Sequence, residues 1–165
     1  MHLRSRQIMV LWIRLIYRFH LFSTSNPVCR SNLPLFDEII VMAYKLDKLS
    51  ELALLLNFIL AKAFFEEGLE SKLRTSLSVI SKSLYIREKK TDAILQEIED
   101  AFIEIHNHQF VMYKYEVMIS SKPEKSMMDI SIMNHDEIKI QSIEAMLKEN
   151  AHILMGLGYE AALTF

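Results

Sequence analysis

The side chains best equipped for chemistry in this chain are its histidines and carboxylates, and one pair has the spacing of a metal-binding unit. Glu149 and His152 stand three residues apart, which places both on one face of a helix, as in the carboxylate–histidine sites built inside helical bundles. Such sites draw on a second Glu-x-x-His and two further glutamates, and the sequence holds no second copy. Glu104 and His108, four apart, are the nearest substitute, with Glu66, Glu67 and Glu70 in reserve. A metal enzyme of the bundle class would therefore use Glu104, His108, Glu149 and His152 as ligands. The competing reading makes them solvated acidic faces and helix-edge histidines, and it is preferred because one short motif arises often by chance. His106 and His108 diverge on a helix and could share a metal only in a turn.

Other chemistries find less to work with. Three glycines are too sparse for a phosphate-cradling loop. No nucleophile motif surrounds any serine or Cys29. As the single cysteine, Cys29 rules out an intrachain disulfide and points to a reducing, intracellular setting, cytoplasmic or mitochondrial. No catalytic residue, cofactor or resident metal is expected.

Charge divides the chain. Residues 1–36 carry five arginines and no acid, whereas residues 37–165 carry 14 basic and 21 acidic side chains, a net of −7. The expected organisation is a basic amphipathic segment over 1–35 and an acidic helical domain over 36–165. On a helical wheel Arg4, Gln7, Arg14 and Arg18 share one face, opposite Ile8, Met9, Trp12, Ile16 and Phe19. Three readings stay open for this segment: an apolar face packed onto the domain, a mitochondrial-type presequence, or residues preceding a true start at Met42. Peripheral membrane contact through residues 1–22 is compatible with the same pattern. A nucleic-acid arm fits poorly, since the arginines alternate with bulky apolar groups and the body is acidic. A membrane span needs about 20 apolar residues, and the longest uncharged run of the body is the ten residues 52–61; no transmembrane helix is expected.

Three glycines and three prolines give few tight turns, and apolar residues recur at helical spacing. The reading is all-α: an antiparallel bundle or a short stack of helical hairpins, with about four main helices plus the N-terminal amphipathic one. Residues 36–67 are apolar on more than one side and predict a central helix ended by Gly68. Leu73, Leu77, Ile80 and Leu84 predict a second helix over 70–89. A third begins near Asp92, its stripe continuing through Met112, Tyr115 and Ile119. Residues 120–126 read as a loop, and the brief alternation over 129–133 is too short to read as a strand. Asn134 and Glu137 form a capping-box pattern ahead of a last helix reaching Met155.

Leu60, Ala61, Ala63 and Phe64 followed by Gly68, then Ile98, Ala101 and Phe102 with Pro123 beyond, resemble the large–small–aromatic pattern of tetratricopeptide repeats. The resemblance covers about residues 54–123, with a fragment at residues 155–159. It implies paired helices and a role in binding other proteins. Glu99, Leu73 and Val111 depart from the family's pattern. Repeat packing requires a turn near residues 106–108, where a plain bundle would let one helix run on to Ile119.

The function expected is a non-enzymatic protein–protein interaction module, an adapter or a subunit of a complex, with self-association as one form. The candidate contact residues are Leu52, Leu56, Ile59, Phe64, Phe65, Phe110 and Tyr113. Ten methionines, flexible and polarizable, suit adaptable apolar surfaces.

Overall fold

The computed structural model describes residues 2–4, 46 and 48–159. Its elements run β1 (His2–Arg4), α1 (Glu51–Glu67), β2 (Leu73–Ser76), α2 (Leu77–Ser83), α3 (Thr91–His108), β3 (Tyr113–Ile119), β4 (Met127–Ile132) and α4 (Ile140–Gly156). Short 3-10 turns occupy Pro123–Lys125 and His135–Glu137. The readings offered for the N-terminal segment fall on residues 1–41; of these His2–Arg4 is described, as a strand where Arg4 was expected on a helical face, and the others lie outside the described residues.

The all-α expectation, bundle or helical stack, is overturned. The chain is a mixed α and β domain with an antiparallel sheet in the order β1-β3-β4-β2. Three longer strands make its body, and β1 adds backbone pairing at the β3 edge, His2 opposite Ile119. The physical reason lies in period. Tyr113, Tyr115 and Val117 alternate with Lys114, Glu116 and Met118, and Met128, Ile130 and Ile132 alternate with Met127, Asp129 and Ser131. The first-named set of each strand is buried, so one sheet face seals the core. Cross-strand register stacks Tyr115 on Ile130 and Val117 on Met128 along that face.

The other sheet face is charged. Glu116 lies directly opposite Asp129, a like-charge pairing that destabilises a sheet by itself. Arg74 Nε at 3.2 Å and Lys72 Nζ at 3.9 Å answer Asp129, and Lys114 Nζ lies 3.7 Å from Glu116.

α1 is central, as expected for a segment apolar on several sides, but it begins only at Glu51, since residues 48–50 form a turn and cap where a helix running from residue 36 was expected. Ala53, Leu54, Leu55, Leu56, Phe58 and Leu60 are all buried, and the helix packs against both α3 and α4. Ser50 caps it, its hydroxyl accepting from the Ala53 amide at 3.3 Å. Gly68, at φ 108, closes the other end in a backbone conformation that favours glycine. The predicted second helix is instead β2 followed by the seven-residue α2, which Ser76 caps through the Val79 amide at 3.1 Å. α3 ends at His108 because Gln109 is extended. The chain thus turns where repeat packing would turn it, and the next element is a strand. Asn134 does not cap a helix: its amide accepts from the Met112 N–H at 2.9 Å and donates to the Phe110 carbonyl at 2.8 Å, pinning the entry to β3. The last helix begins six residues later.

Rings fill the space between α1, α3 and β3. Phe102 stacks on Tyr115 at 4.5 Å between centroids and lies 6.0 Å from Tyr113, which is itself 6.1 Å from Phe64. Burial holds the Tyr113 phenol far above its ordinary value near 10. The folded state then requires the neutral phenol, while the unfolded chain ionises it near pH 10. Stability from this group is complete below that pH and is lost as pH rises above it, by about 1.4 kcal/mol per pH unit. Urea midpoints measured from pH 9 to 11 should fall more steeply for the parent than for Tyr113→Phe; parallel slopes would contradict the assignment.

Two buried amides, Gln109 and Asn150, have neither side-chain atom hydrogen-bonded. Each such group costs about 1–3 kcal/mol. Gln109→Met, nearly isosteric, should therefore stabilise the domain by about 1–2 kcal/mol in a urea titration. A loss of stability would show that the amide has a role this packing does not reveal.

Candidate functional site

The four expected metal ligands do not assemble. Glu104 is engaged by the cap of α1: its carboxylate accepts from the Ser50 hydroxyl at 2.7 Å and from the Ser50 N–H at 3.2 Å. Among the described residues, the metal-type donor atoms that gather within 4.8 Å of one another belong to Glu70, His135 and Asp136, and to none of the expected four. His106, in the same turn as His108, is structural: Nε2 accepts from the Tyr113 N–H at 3.2 Å, and its ring stacks on Phe102.

The expected contact residues separate into two groups. Leu56, Phe64 and Tyr113 are fully buried and are core. Leu52, Ile59, Phe65 and Phe110 are partly buried and pack on the core's margin. Within α1, Leu52, Ile59 and Ala63 are spaced seven and four apart, so they form one half-covered stripe along the helix. Its N-terminal end opens into a concavity of the described surface.

That concavity is a cleft of about 430 Å³ lined by Leu52 of α1, the segment 85–88, and Glu97, Asp100, Ala101 and Glu104 of α3. Helical spacing explains the α3 wall. Residues 97, 100 and 104 share one face, and the buried Ala101 lies at its edge beside Ile98 and Ile105. Leu52, Ile86 and Ala101 supply the apolar floor. Glu88, Glu97, Asp100 and Glu104 against Arg87 give the rim a net of −3. A concave, like-charged rim concentrates field on the cation it faces.

Tyr85 forms one wall under strain. Its φ is 56, left-handed for a bulky side chain, and the ring is 61% exposed. Such a conformation costs on the order of 1 kcal/mol and concentrates where function requires it. Tyr159 backs the ring at 5.7 Å between centroids, and its hydroxyl donates to Glu51 at 3.1 Å. Burial, and then the hydrogen bond to Glu51, raise the Tyr159 phenol above its ordinary value. The wall is therefore held by α1 and by the chain beyond α4 together.

Of this cleft, sequence reasoning found Leu52 as a contact and Glu104 only as a metal ligand. It missed Tyr85, Ile86, Arg87, Glu88, Glu97 and Asp100 as site residues and used Ala101 only in the repeat pattern. Periodicity along α3 carried a usable signal, because the carboxylates at 97, 100 and 104 share a face that a solvated helix has no need to align. Residues 85–88 left none, since their place depends on α2 ending at Ser83.

No family model, curated protein or solved structure matches the chain, so the tetratricopeptide resemblance finds neither support nor opposition there. Among the described residues no helix is long and apolar enough to cross a membrane. Fold and site together define a mixed α and β domain with an acidic, apolar-floored cleft among its described residues.

Proposed function

We propose that this chain is a non-enzymatic interaction module that docks a polypeptide segment in the cleft between α1, the 85–88 segment and α3. The single observation that carries the reading is the pairing of a partly open apolar floor with an aligned acidic rim. Helix-in-groove recognition uses this combination, with apolar anchors supplying burial and charges setting register. The strained, exposed Tyr85 supports it, because aromatic walls with two rotatable bonds make large contacts at low entropic cost. The sole cysteine, Cys29, fits an intracellular, reducing setting for such a module.

Charge reversal tests this. Glu97 and Asp100 are a half-buried and an exposed side chain, respectively, away from the core. Glu97→Lys/Asp100→Lys should keep the fold and lower affinity for a docked partner more than about tenfold, the effect of removing two attractive contacts and adding two repulsive ones. Proteins captured by the full chain and by this variant would be compared, and each captured protein purified and titrated. A partner bound equally by both would place docking elsewhere.

A further inference from the structure

We propose that the cleft binds a free linear polyamine, its ammonium groups on the α3 carboxylates and its aliphatic spacers across the apolar floor. The proposal rests on the docking reading for its consequence: polyamine and docked segment compete for one cleft, so the small cation sets a threshold for the large one.

The cleft holds negative charge that the domain leaves uncompensated. Glu88, Glu97, Asp100 and Glu104 line it against Arg87 alone, and none of the four carboxylates is ion-paired to a described residue. The hydrogen bonds that reach them come from neutral groups. Gln96 donates to Asp100 at 2.9 Å, and Ser50 donates to Glu104 from its hydroxyl and its N–H. Such bonds orient the carboxylates and leave their charge in place. A ligand carrying about three positive charges balances the site.

Spacing narrows the class of cation. Residues 97, 100 and 104 step along α3 by three and then four positions, about 4.5 Å and 6 Å of helix rise. With bonds of about 1.5 Å, amines joined by three and by four carbons stand about 5 Å and 6 Å apart when extended. A triamine with these two spacers lays one ammonium beside each carboxylate of that face. Its methylenes then meet Leu52, Ile86 and Ala101, which a compact, strongly hydrated magnesium ion cannot use. The cleft volume of about 430 Å³ falls in the span of small-molecule sites, about 300–1,000 Å³. The exposed Tyr85 ring adds an aromatic face that attracts ammonium groups.

Calorimetric titration of the full chain with spermidine, the triamine of those spacers, tests this at about 50 mM salt, where exposed charges are less screened. One saturable site is expected, with affinity at least about tenfold above that for butane-1,4-diamine or magnesium. Asp100→Asn should weaken it several-fold and Glu97→Lys/Asp100→Lys more than about thirtyfold, so that loss of fold in one variant does not decide the outcome. Glu70→Lys/Glu124→Lys makes the same change in net charge at exposed sites outside the cleft and should alter affinity less than about twofold. Magnesium binding as tightly as spermidine, equal losses in the two double variants, or no saturable heat at millimolar ligand overturns the proposal. A cationic peptide that docks in the cleft while spermidine fails to bind leaves the docking reading standing without this inference. Spermidine bound in the cleft with no peptide docking there does the reverse.

Discussion

Phe102→Ala should cost the domain about 3–5 kcal/mol, a large share of the stability of a fold this size. Phe102 is fully buried on the inner face of α3, stacked 4.5 Å from Tyr115 and within 6.0 Å of both Tyr113 and His106. Removing the ring takes its transfer energy and leaves a cavity that the neighbouring rings, fixed on β3 and α3, cannot close. Its neighbours belong to α3 and β3, so the loss falls on the seam between helices and sheet. Guanidinium denaturation followed by far-ultraviolet and near-ultraviolet dichroism would read the effect. A change below about 1 kcal/mol would show that the ring cluster does not hold that seam.

Ile130→Lys should be harsher and should leave no stably folded domain. Ile130 is fully buried at the middle of β4, paired with Tyr115 on one side and Leu73 on the other. A lysine there brings an ammonium among Tyr115, Leu73, Met128 and Ile132, strand neighbours that carry no counter-charge. Asp129, one residue away, points to the opposite face and offers no relief. Substitutions of this kind exceed about 4 kcal/mol when the charge cannot escape. The same change at a loop position, where an all-helical chain would put residue 130, would be harmless. Soluble yield and a dispersed amide spectrum for Ile130→Lys would therefore contradict the sheet itself.

Much of the helical framework was legible in the residues. The apolar density of α1 pointed to a central helix ended by Gly68, and both follow from side-chain period and glycine's freedom at positive φ. The strands were not legible as strands. Met112, Tyr115 and Ile119 fit helical spacing, while Tyr113, Tyr115 and Val117 fit strand spacing, and the two patterns share Tyr115. Tertiary pairing decides between them, because β3 and β4 gain a full antiparallel ladder that neither segment specifies alone. β2 was hidden for a similar reason. Its Leu73 continues the stripe of Leu77 and Ile80, yet the residue belongs to a strand that leads directly into α2. The candidate site was half legible. Leu52 and the face of α3 can be read from helical period, but the 85–88 wall exists only because α2 stops early and Tyr85 takes a left-handed turn.

The docking proposal draws on one local asymmetry, four carboxylates against one guanidinium around the cleft. Burying an apolar face brings a segment to the groove, and the carboxylate row then selects cationic helices over neutral or acidic ones. Salt should weaken that selection, since the rim charges are exposed and screened within about 10 Å at 0.1 M.

An amide-resolved footprint tests cleft docking most directly. The full chain, labelled with ¹⁵N, would be titrated with a synthetic cationic amphipathic peptide of lysine and leucine. Docking in the cleft predicts saturable shifts clustered at Leu52, 85–88 and 97–104, abolished by Glu97→Lys/Asp100→Lys. Shifts centred instead on Arg74, Glu116 and Asp129 of the outer sheet face, or none at millimolar peptide, would contradict it.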